Sequence, residues 1–588
     1  MCGIIGYIGK KEAAPLVLEG LKKLEYRGYD SAGIASIDSN QILIKKGVGK
    51  LEKVFPNAFS ISNLTGNIAI GHTRWATHGK VSVRNSHPHL SNNKKIAVVH
   101  NGIIENYQEL RKFLIANGFK LYSETDTEVI PNLIQYHIST GKTFVESVKS
   151  TLKELKGSYA ILVISNDEKL LIAARKESPL VIGVADDGYF ASSDIPSFLE
   201  HTKNVIYLYD GDLVVLNEKL KIYNNNKEVK RQIDSIAWDT EQAKKGVFKH
   251  FMLKEISEQA EVIERAIQQN PKVIESIVSE IKKAKGIYFV GCGSAYHACL
   301  AGSYIFSRVA KKHVNVAFAS EFPSYEHFLT PKSLVIAVSQ SGETADTLAA
   351  IRAAKEKGAK VISIVNVMGS SLARESDQTL MQQAGPEISV LSTKSYTSQL
   401  AILVLLAYAL ANKLDEAKSE LKELIRYVYY MTSKNTQEHI QKIANVLRKS
   451  KDIYLIGRGI QYPTALEAAL KIKEVSYIHA EAFAAGELKH GVIALIEKGT
   501  PCIVFTSRET ESEIISNATE LKARGAKIIG IGQNNNEVFD DFIKVRESEE
   551  ANSILQIIPI QILAYQLAIL RGHDPDRPRN LAKSVTVK

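Results

Sequence analysis

A cysteine stands at position 2 of the chain, in the opening stretch MCGIIGYIGK. It becomes the N-terminal residue if the initiator Met1 is removed, which the small size of the second residue permits. A thiol and a free α-amine then share one residue, and the amine, with an ordinary pKa of about 7.7–8.0, can accept the thiol proton. Cys2 is therefore a candidate nucleophile that carries its own base. The alternative is a cysteine without a role at a frayed chain end.

Clusters of hydrogen-bonding side chains end several apolar stretches in the first part of the chain. They are EYRGYDSAG at 25–33, HTRWATHG at 72–79, HPH at 87–89, HNG at 100–102 and SETDT at 123–127. Polar groups gathered at strand ends can line a pocket for a polar ligand. A metal site built from the histidines is the other interpretation, although few of them stand at ligand spacing with carboxylates.

A second kind of chemistry is indicated by the run SQSGET at 339–344, which follows the apolar run SLVIAV. Hydroxyls, an amide and a glycine between a strand and a helix form a typical anion cradle, because free backbone N–H groups point outward at a helix N-terminus. The alternative is an ordinary helix cap with extra serines. The glycines of Gly291-Cys292-Gly293, at the end of another predicted strand, would let a ligand approach the backbone.

The SQSGET loop belongs to an internal repeat of the sequence. IYFVGCGSAY at 287 matches IYLIGRGIQY at 453, SLVIAVSQSGETADTL at 333 matches TPCIVFTSRETESEII at 500, and GAKVISI at 358 matches GAKIIGI at 525. Glu509 and Glu511 replace Gly342 and Thr344 in the second copy. Because two carboxylates repel a phosphate, the repeat predicts one sugar-phosphate site per chain.

The elements that position these residues fall into two classes. The first 222 residues alternate short strands with few helices, which predicts an α+β domain of stacked sheets between helices. Each repeat alternates buried strands with helices, which predicts two doubly wound α/β subdomains with parallel sheets. The predicted boundaries are 1–222 for the first domain (mature from Cys2), 223–245 for a polar linker, 246–415 and 420–575 for the subdomains, and 576–588 for a tail.

The amino-acid composition narrows the range of possible partners and cellular settings. The 588 residues carry a formal net charge of +10 without a dense basic and aromatic tract, so we expect no nucleic-acid partner. The four cysteines suit neither a disulfide framework nor a zinc site, and charged residues interrupt the first 20 positions, so we expect a reducing, cytoplasmic setting. The apolar run LAILVLLAYALA at 400–411 is too short to span a bilayer and predicts a buried helix, and we expect no membrane partner.

The motifs described above resemble those of a known family. CGIIGYIG, LEYRGYDSAG, HTRWATHG, HNGIIENY and ETDTE are similar to the N-terminal-nucleophile glutamine amidotransferases, and SQSGETADT, HAEAFAAGELKHG and NLAKSVTVK are similar to sugar isomerase domains. In this order they resemble the isomerising glutamine–fructose-6-phosphate aminotransferases, over essentially the whole chain. The resemblance implies transfer of the glutamine amide nitrogen to fructose 6-phosphate in a homodimer joined through the isomerase domains, with no cofactor and no metal.

For the first domain, the resemblance implies that Cys2 attacks the glutamine amide and that Asn101 and Gly102 form the oxyanion hole. Arg74 would pair with the glutamine α-carboxylate and Asp126 with its α-amine. The resemblance further implies that the pocket is lined by Arg27, Thr77 and His78. It also implies that Trp75 gates the exit of ammonia.

For the second half, the resemblance implies that His490 opens the sugar ring in the partner subunit's site, that Glu474 moves the proton and that Lys583 forms a Schiff base. The implied sugar-phosphate-binding residues are Gly293, Ser294, Ser339, Gln340, Ser341, Thr344, Ser392, Glu467 and Lys471. From spacing alone, Glu467, Lys471 and Glu474 share one helix face and would equally suit a solvated row of ion pairs. One departure is Ala295, where such families usually have a serine in C-G-T-S.

Two other functions stay open at this level. A regulatory protein that binds sugar phosphates without catalysis would keep the repeat but needs none of Cys2, Arg74, Asp126 or Glu474. A related amidotransferase acting on a different keto-sugar would keep the whole pattern, and Ala295 leaves room for it.

Overall fold

The computed structural model describes residues 2–39, 41–236 and 245–586. Two compact units divide the described chain: residues up to 236 together with 582–586, and residues 245–581. Met1, most of the second half of the predicted linker and the last two residues of the predicted tail lie outside the described residues.

The first unit is built on two antiparallel sheets, of eight and seven strands, in the orders β15-β11-β9-β10-β1-β4-β2-β3 and β14-β13-β12-β8-β7-β6-β5. The strands are β1 Gly3–Gly9, β2 Ser31–Asp38, β3 Gln41–Val48, β4 Ile68–Arg74, β5 His89–Leu90, β6 Ile96–Ile104, β7 Gly157–Ser165, β8 Leu171–Lys176, β9 Val181–Ala185, β10 Gly188–Ser192, β11 Asn204–Tyr207, β12 Leu213–Leu216, β13 Leu220–Asn224, β14 Lys227–Val229 and β15 Asp234–Ser235.

Helices cover the outer faces of the two sheets. They are α1 Ala13–Leu24, α2 Leu51–Val54, α3 Tyr107–Ala116, α4 Val129–Ser139 and α5 Phe144–Glu154. Successive side chains of a strand point to opposite faces of its sheet, which explains why each sheet has a core on both sides. In β1, Ile4 and Ile8 enter the core between the sheets, whereas Ile5 and Tyr7 pack toward α1. The predicted α+β class of stacked sheets between helices is confirmed.

The boundary predicted at residue 222 is too early. Strand β13 continues to Asn224 and pairs with β14, and β15 pairs with β11. Residues 223–235 therefore include sheet edges of the first unit. Their polarity, which suggested a linker, reflects edge strands that are solvated on both sides.

The second unit contains two five-stranded parallel sheets of the same topology, β17-β16-β18-β19-β20 and β22-β21-β23-β24-β25. Their strands are β16 Gly286–Gly291, β17 Asn315–Phe318, β18 Ser333–Ser339, β19 Lys360–Val365, β20 Gln378–Met381, β21 Asp452–Gly457, β22 His479–Ala484, β23 Pro501–Phe505, β24 Lys527–Gly532 and β25 Asp541–Lys544. The three matched pairs of sequence segments fall on corresponding strands, so the predicted repeat is confirmed.

Helices of this unit surround and join the two sheets. They are α6 Phe251–Ser257, α7 Gln259–Ile267, α8 Pro271–Lys283, α9 Ser294–Ala310, α10 Ala345–Glu356, α11 Ser371–Glu375, α12 Lys394–Leu410, α13 Leu414–Met431, α14 Lys434–Leu447, α15 Gln461–Ser476, α16 Glu511–Ala523 and α17 Asn552–Leu570. The apolar positions 256, 260, 263 and 267, whose spacing is typical of one helix face, lie on two helices that meet at Glu258, and all four are in the core.

Two apolar helices form the centre of this unit. The predicted buried helix is α12, which is buried over nearly all its length. Helix α17 is longer, and within the described residues it is the one helix long and apolar enough to cross a membrane. Because 83% of its most apolar window is buried inside the protein, it is a core helix of the unit. Gln556 and Gln561 interrupt its apolar run, which is why the sequence did not single it out.

Candidate active sites

Cys2 lies at the start of β1, against the end of β4. Its Sγ accepts a hydrogen bond from the Trp75 backbone N–H at 3.2 Å, and Asn101 Nδ2 donates to the Cys2 carbonyl at 2.8 Å. Burial raises the pKa of the Cys2 thiol, while the Trp75 N–H and the Arg74 guanidinium act to lower it. A buried thiol with a raised pKa needs a base close by before it can act as a nucleophile.

Gly3 allows this placement. A Cβ on Gly3 would lie 2.8 Å from both Leu24 Cβ and Thr73 Oγ1, so no larger residue fits between α1 and β4. The chain end can therefore run directly beside β4, whose last residue is followed by Trp75.

Arg74 and Asp126 flank the cysteine. Both charges influence the pKa of the Cys2 thiol, so the three side chains share one site. Arg74 Nη2 donates to the carbonyls of His78 and Gly79, whereas its Nη1 is buried and has no hydrogen-bond partner among the described residues. Asp126 Oδ2 accepts from the Ile104 N–H at 2.8 Å. A guanidinium with a free edge and a carboxylate can together bind the two charges of an amino acid.

Asn101 and Gly102 lie near the end of β6. Asn101 Oδ1 is buried without a partner among the described residues, although its amide nitrogen contacts Cys2. Gly102 has φ +140°, and a Cβ there would lie 2.1 Å from the Ser158 carbonyl oxygen. Glycine is therefore required where β6 meets β7.

The other predicted pocket residues divide into two groups. His78 Nδ1 lies 3.4 Å from Thr77 Oγ1, and Trp75 packs edge-on against Tyr29 at 5.8 Å between ring centroids. Arg27 is itself buried and instead forms an ion pair at 2.7 Å with the half-buried Asp194. No sequence pattern pointed to Asp194, because it is far from Arg27 along the chain and belongs to none of the polar clusters.

Four histidines form a buried cluster beside this site. His72 stacks on His87 at 4.0 Å between ring centroids, His87 contacts His89, and His72 Nε2 lies 3.1 Å from the His100 carbonyl. Burial lowers the pKa of all four. Among the described residues, no group of three or more His, Cys, Asp or Glu side chains is placed to hold a metal ion. Because their pKa values are lowered, the four rings are neutral at neutral pH.

We expect acid to destabilise the first unit. A histidine whose folded pKa lies below 6.5 stabilises the fold above pH 6.5, and this contribution is lost as the pH falls, at about 1.4 kcal/mol per pH unit per histidine. The loss of stability is measured by urea unfolding at pH 7.5 and at pH 5.5, with the hydrogen exchange of β4 and β6 peptides as the local readout. Helix α17 serves as the comparison, because it contains no histidine. Equal losses in β4 and α17 would contradict the prediction.

In the second unit, α15 carries a buried network of charges. Lys471 Nζ lies 3.3 Å from Glu467 Oε1 and 2.7 Å from Glu474 Oε2, and it donates to Ser294 Oγ at 3.0 Å and to the Ser392 carbonyl at 3.3 Å. Lys471 and Glu467 are fully buried. The alternative of a solvated row of ion pairs is therefore wrong for this helix face.

The predicted phosphate loop lies between β18 and α10. Ser339 Oγ accepts from the Gly342 N–H at 3.0 Å, and Ser341 Oγ accepts from the Glu343 N–H at 3.2 Å. Thr344 caps α10 without a side-chain cap bond to the helix. Gly342 has φ +66°, and a Cβ there would lie 2.2 Å from Ser370 Oγ. Gln340 is half-buried beside these residues.

The corresponding loop of the second repeat is used differently. Glu509, which replaces Gly342, forms an ion pair with Arg308 of α9. Arg308 also pairs with Glu550 at 3.0 Å. The second loop thus links the two repeats, in agreement with one anion cradle per chain.

The structure does not gather every predicted residue. His490 ends a 3-10 turn, Ala485–His490, and is exposed, with no hydrogen bond or ion pair to α15 in the described chain. Gly293 precedes α9 with φ +55°, and Ala295 is buried in the core. Lys583 belongs to the segment grouped with the first unit. The predicted tail begins at Asp576, whose carboxylate accepts from the N–H groups of Phe251 and Met252 and so belongs to the second unit.

Sequence reasoning missed one residue of the buried network. His297 Nδ1 lies 2.8 Å from Glu467 Oε2, joining α9 of the first repeat to α15 of the second. Its position three residues after Ser294 was the available signal, since residues at this spacing share a helix face.

Comparisons with known proteins agree with this arrangement. A model of the glutamine amidotransferase domain matches residues 72–200, and a model of the SIS domain matches residues 280–409 and 446–571. The solved structure of the C-terminal domain of glucosamine-fructose-6-phosphate aminotransferase from Francisella tularensis superposes with a TM-score of 0.54 at 35% identity, covering 57% of this chain and 100% of that one.

Full-length relatives extend the match to the entire chain. Proteins named glutamine–fructose-6-phosphate aminotransferase (isomerising) from Clostridium tetani and Pyrococcus horikoshii are 45% and 46% identical to it, with 100% of both chains covered. By full-length similarity and by the order of its domains, the chain belongs to the family of isomerising glutamine–fructose-6-phosphate aminotransferases.

Proposed function

We propose that the protein transfers the amide nitrogen of glutamine to fructose 6-phosphate and isomerises the product to glucosamine 6-phosphate, releasing glutamate. One observation carries the proposal: a single chain of this family combines a half-buried thiol at Cys2, near the charges of Arg74 and Asp126, with a buried Glu–Lys–Glu network. The first arrangement suits an amino acid amide, and the second suits proton transfer on a sugar.

In the first half-reaction, the α-amine of the processed Cys2 takes the thiol proton, and Sγ attacks the glutamine side-chain amide. The free Nη1 edge of Arg74 binds the α-carboxylate, and Asp126 binds the α-amine. The Asn101 amide and the Gly102 N–H stabilise the oxyanion as charge develops. Ammonia leaves, a γ-glutamyl thioester forms, and water then releases glutamate. Arg27, Thr77 and His78 shape the pocket, and Trp75 gates the exit of ammonia.

In the second half-reaction, Ser339, Gln340, Ser341 and Thr344 hold the phosphate, with Gly293 allowing a close approach. Lys583 binds the open ketose as a Schiff base, ammonia replaces it at C2, and Glu474 moves a proton between C1 and C2. Ser294 and Ser392 support Lys471, which is consistent with their contacts to its ammonium group.

The exposed position of His490 fits a role in the site of a second copy, so we propose a homodimer joined through the isomerase subdomains. Neutral ammonia would pass between the two active sites without release to bulk water, which would protonate it. We place the enzyme in the cytoplasm, at the entry to amino-sugar precursor synthesis.

The direct test incubates the purified protein with glutamine and fructose 6-phosphate and follows glucosamine 6-phosphate and glutamate by mass spectrometry. We expect both products in equal amounts. Formation of neither product would leave the regulatory sugar-phosphate-binding protein as the better explanation. A tenfold preference for another ketose phosphate would instead support an amidotransferase with a different acceptor.

A further inference from the structure

We propose that His297 is a positioning residue for the isomerisation, holding Glu467 so that the Glu467–Lys471–Glu474 network keeps its geometry. This inference rests on the proposed function. His297 lies on α9, in the first repeat, and the network lies on α15, in the second. His297 Nδ1 lies 2.8 Å from Glu467 Oε2, and a second contact between the two helices runs from Lys471 Nζ to Ser294 Oγ at 3.0 Å.

The chemistry of the contact fixes the histidine tautomer. Glu467 is ionised: burial opposes this, but the Lys471 ammonium and the His297 hydrogen bond hold the pKa of Glu467 below its ordinary value. A carboxylate only accepts hydrogen bonds, so Nδ1 of His297 must carry the hydrogen. The imidazole therefore donates one charge-assisted bond to a fully buried anion.

Apart from this bond, Glu467 contacts Lys471 and the Ser294 hydroxyl, which also contact each other. Its Oε1 faces Lys471, and the Tyr396 side chain of α12 is close enough for the carboxylate to affect the tyrosine pKa. Lys471 also pairs with Glu474, so any rotation of Glu467 changes where the ammonium group lies between the two carboxylates. His297 is 12% exposed and touches neither Lys471 nor Glu474 through a hydrogen bond in the described chain, so it acts through Glu467 alone.

Two substitutions separate the hydrogen bond from the packing. His297→Asn keeps an N–H donor on the atom bonded to Cγ, where Nδ1 stands in histidine, but it lacks the ring. His297→Phe keeps a ring of similar size but has no donor. The exposed His313, 16 residues further along the chain, provides a matched control as His313→Asn.

We expect His297→Phe to lower the kcat for glucosamine 6-phosphate formation by about tenfold, less than the 10²–10⁴-fold typical of a direct acid or base. The acid limb of its kcat profile should move up by about one pH unit, because Glu467 without its donor protonates more easily. His297→Asn should stay within about threefold of the parent, with its acid limb in place. Glutamine hydrolysis should be unchanged in both variants.

Two results would overturn the inference: an unshifted acid limb in His297→Phe, or a larger kcat loss in His297→Asn than in His297→Phe, which would assign the role to packing. A thermal melt of each variant identifies simple loss of folding. If His297→Phe unfolds, the His297→Asn pH profile decides alone, since the donor is then the only retained feature. A parent protein that forms no glucosamine 6-phosphate would instead contradict the proposed function.

Discussion

Replacing Cys2 by alanine should abolish glutamine hydrolysis and glutamine-dependent synthesis, by a factor on the order of 10³ or more. The reason is chemical: the thioester cannot form without Sγ, and the other three cysteines, Cys292, Cys299 and Cys502, belong to the other unit. Isomerisation of fructose 6-phosphate should continue at the parent rate, because no proposed step of it uses the thiol and its proposed residues, apart from Lys583, belong to the other unit. Release of glutamate and conversion of the hexose phosphate are measured in parallel on one preparation.

The control is the same change at a thiol outside any proposed site. Cys502 lies in the core of the second repeat, where burial raises the pKa of its thiol to about 12. Cys502→Ala should keep glutamine hydrolysis. If Cys2→Ala loses both activities while its thermal melt is unchanged, the proposed division between the two units is wrong.

The α-amine can be tested without touching the thiol. A variant with alanine inserted between Met1 and Cys2 keeps Sγ but denies the thiol its own amine. Because burial raises the pKa of this thiol, it depends on a base, and we expect the extended protein to lose glutamine hydrolysis as fully as Cys2→Ala. Intact mass after reaction with a glutamine-analogue electrophile shows both the processing of Met1 and the labelling of Cys2.

Local patterns in the sequence predicted what depends on local chemistry. The apolar stretches before the polar clusters at 72–79 and 100–102, which form β4 and β6, and the repeat from β16 to β24 were readable, because each strand buries its own apolar side chains. The contrast between Gly342 and Glu509 was also readable, and the structure explains it through the Ser370 contact and the Arg308 pair.

Long-range partnerships were not readable in the same way. Asp194 pairs with Arg27, and His297 meets Glu467, across 167 and 170 positions of sequence. Spacing on one helix placed Glu467, Lys471 and Glu474 together, but it could not tell a solvated face from a buried one. Burial here is decided by α9 and α12, which pack against α15 and the core from elsewhere in the chain.

The burial of Lys471 and Glu467 leads to the second prediction with a large expected effect. Lys471→Met should destabilise the second unit by about 3–5 kcal/mol and should abolish formation of glucosamine 6-phosphate, while glutamine hydrolysis is kept. The loss of stability follows because Glu467, fully buried, would keep its charge without a counter-ion. Hydrogen exchange of α9 and α15 peptides reports the local stability, and the thermal melt reports the whole protein.

The pH dependence identifies the cause. Without Lys471, burial raises the folded pKa of Glu467 above its unfolded value of about 4.3. A group with a raised folded pKa loses its contribution as the pH rises, so the difference between parent and Lys471→Met should be larger at pH 8 than at pH 5. A difference that is the same at both pH values would assign the loss to packing rather than to charge.

A double variant separates stability from chemistry. Glu467→Gln combined with Lys471→Met removes the two fully buried charges and leaves only Glu474, which is 15% exposed, without the ammonium group. His297 can still meet the glutamine amide oxygen. We expect the double variant to recover most of the stability lost in Lys471→Met, since replacing a whole buried pair is far less costly than breaking it. Synthesis should remain lost, because Glu474 would then lack the ammonium group that now lies 2.7 Å from its carboxylate. Recovery of synthesis together with stability would mean that the network serves the fold alone.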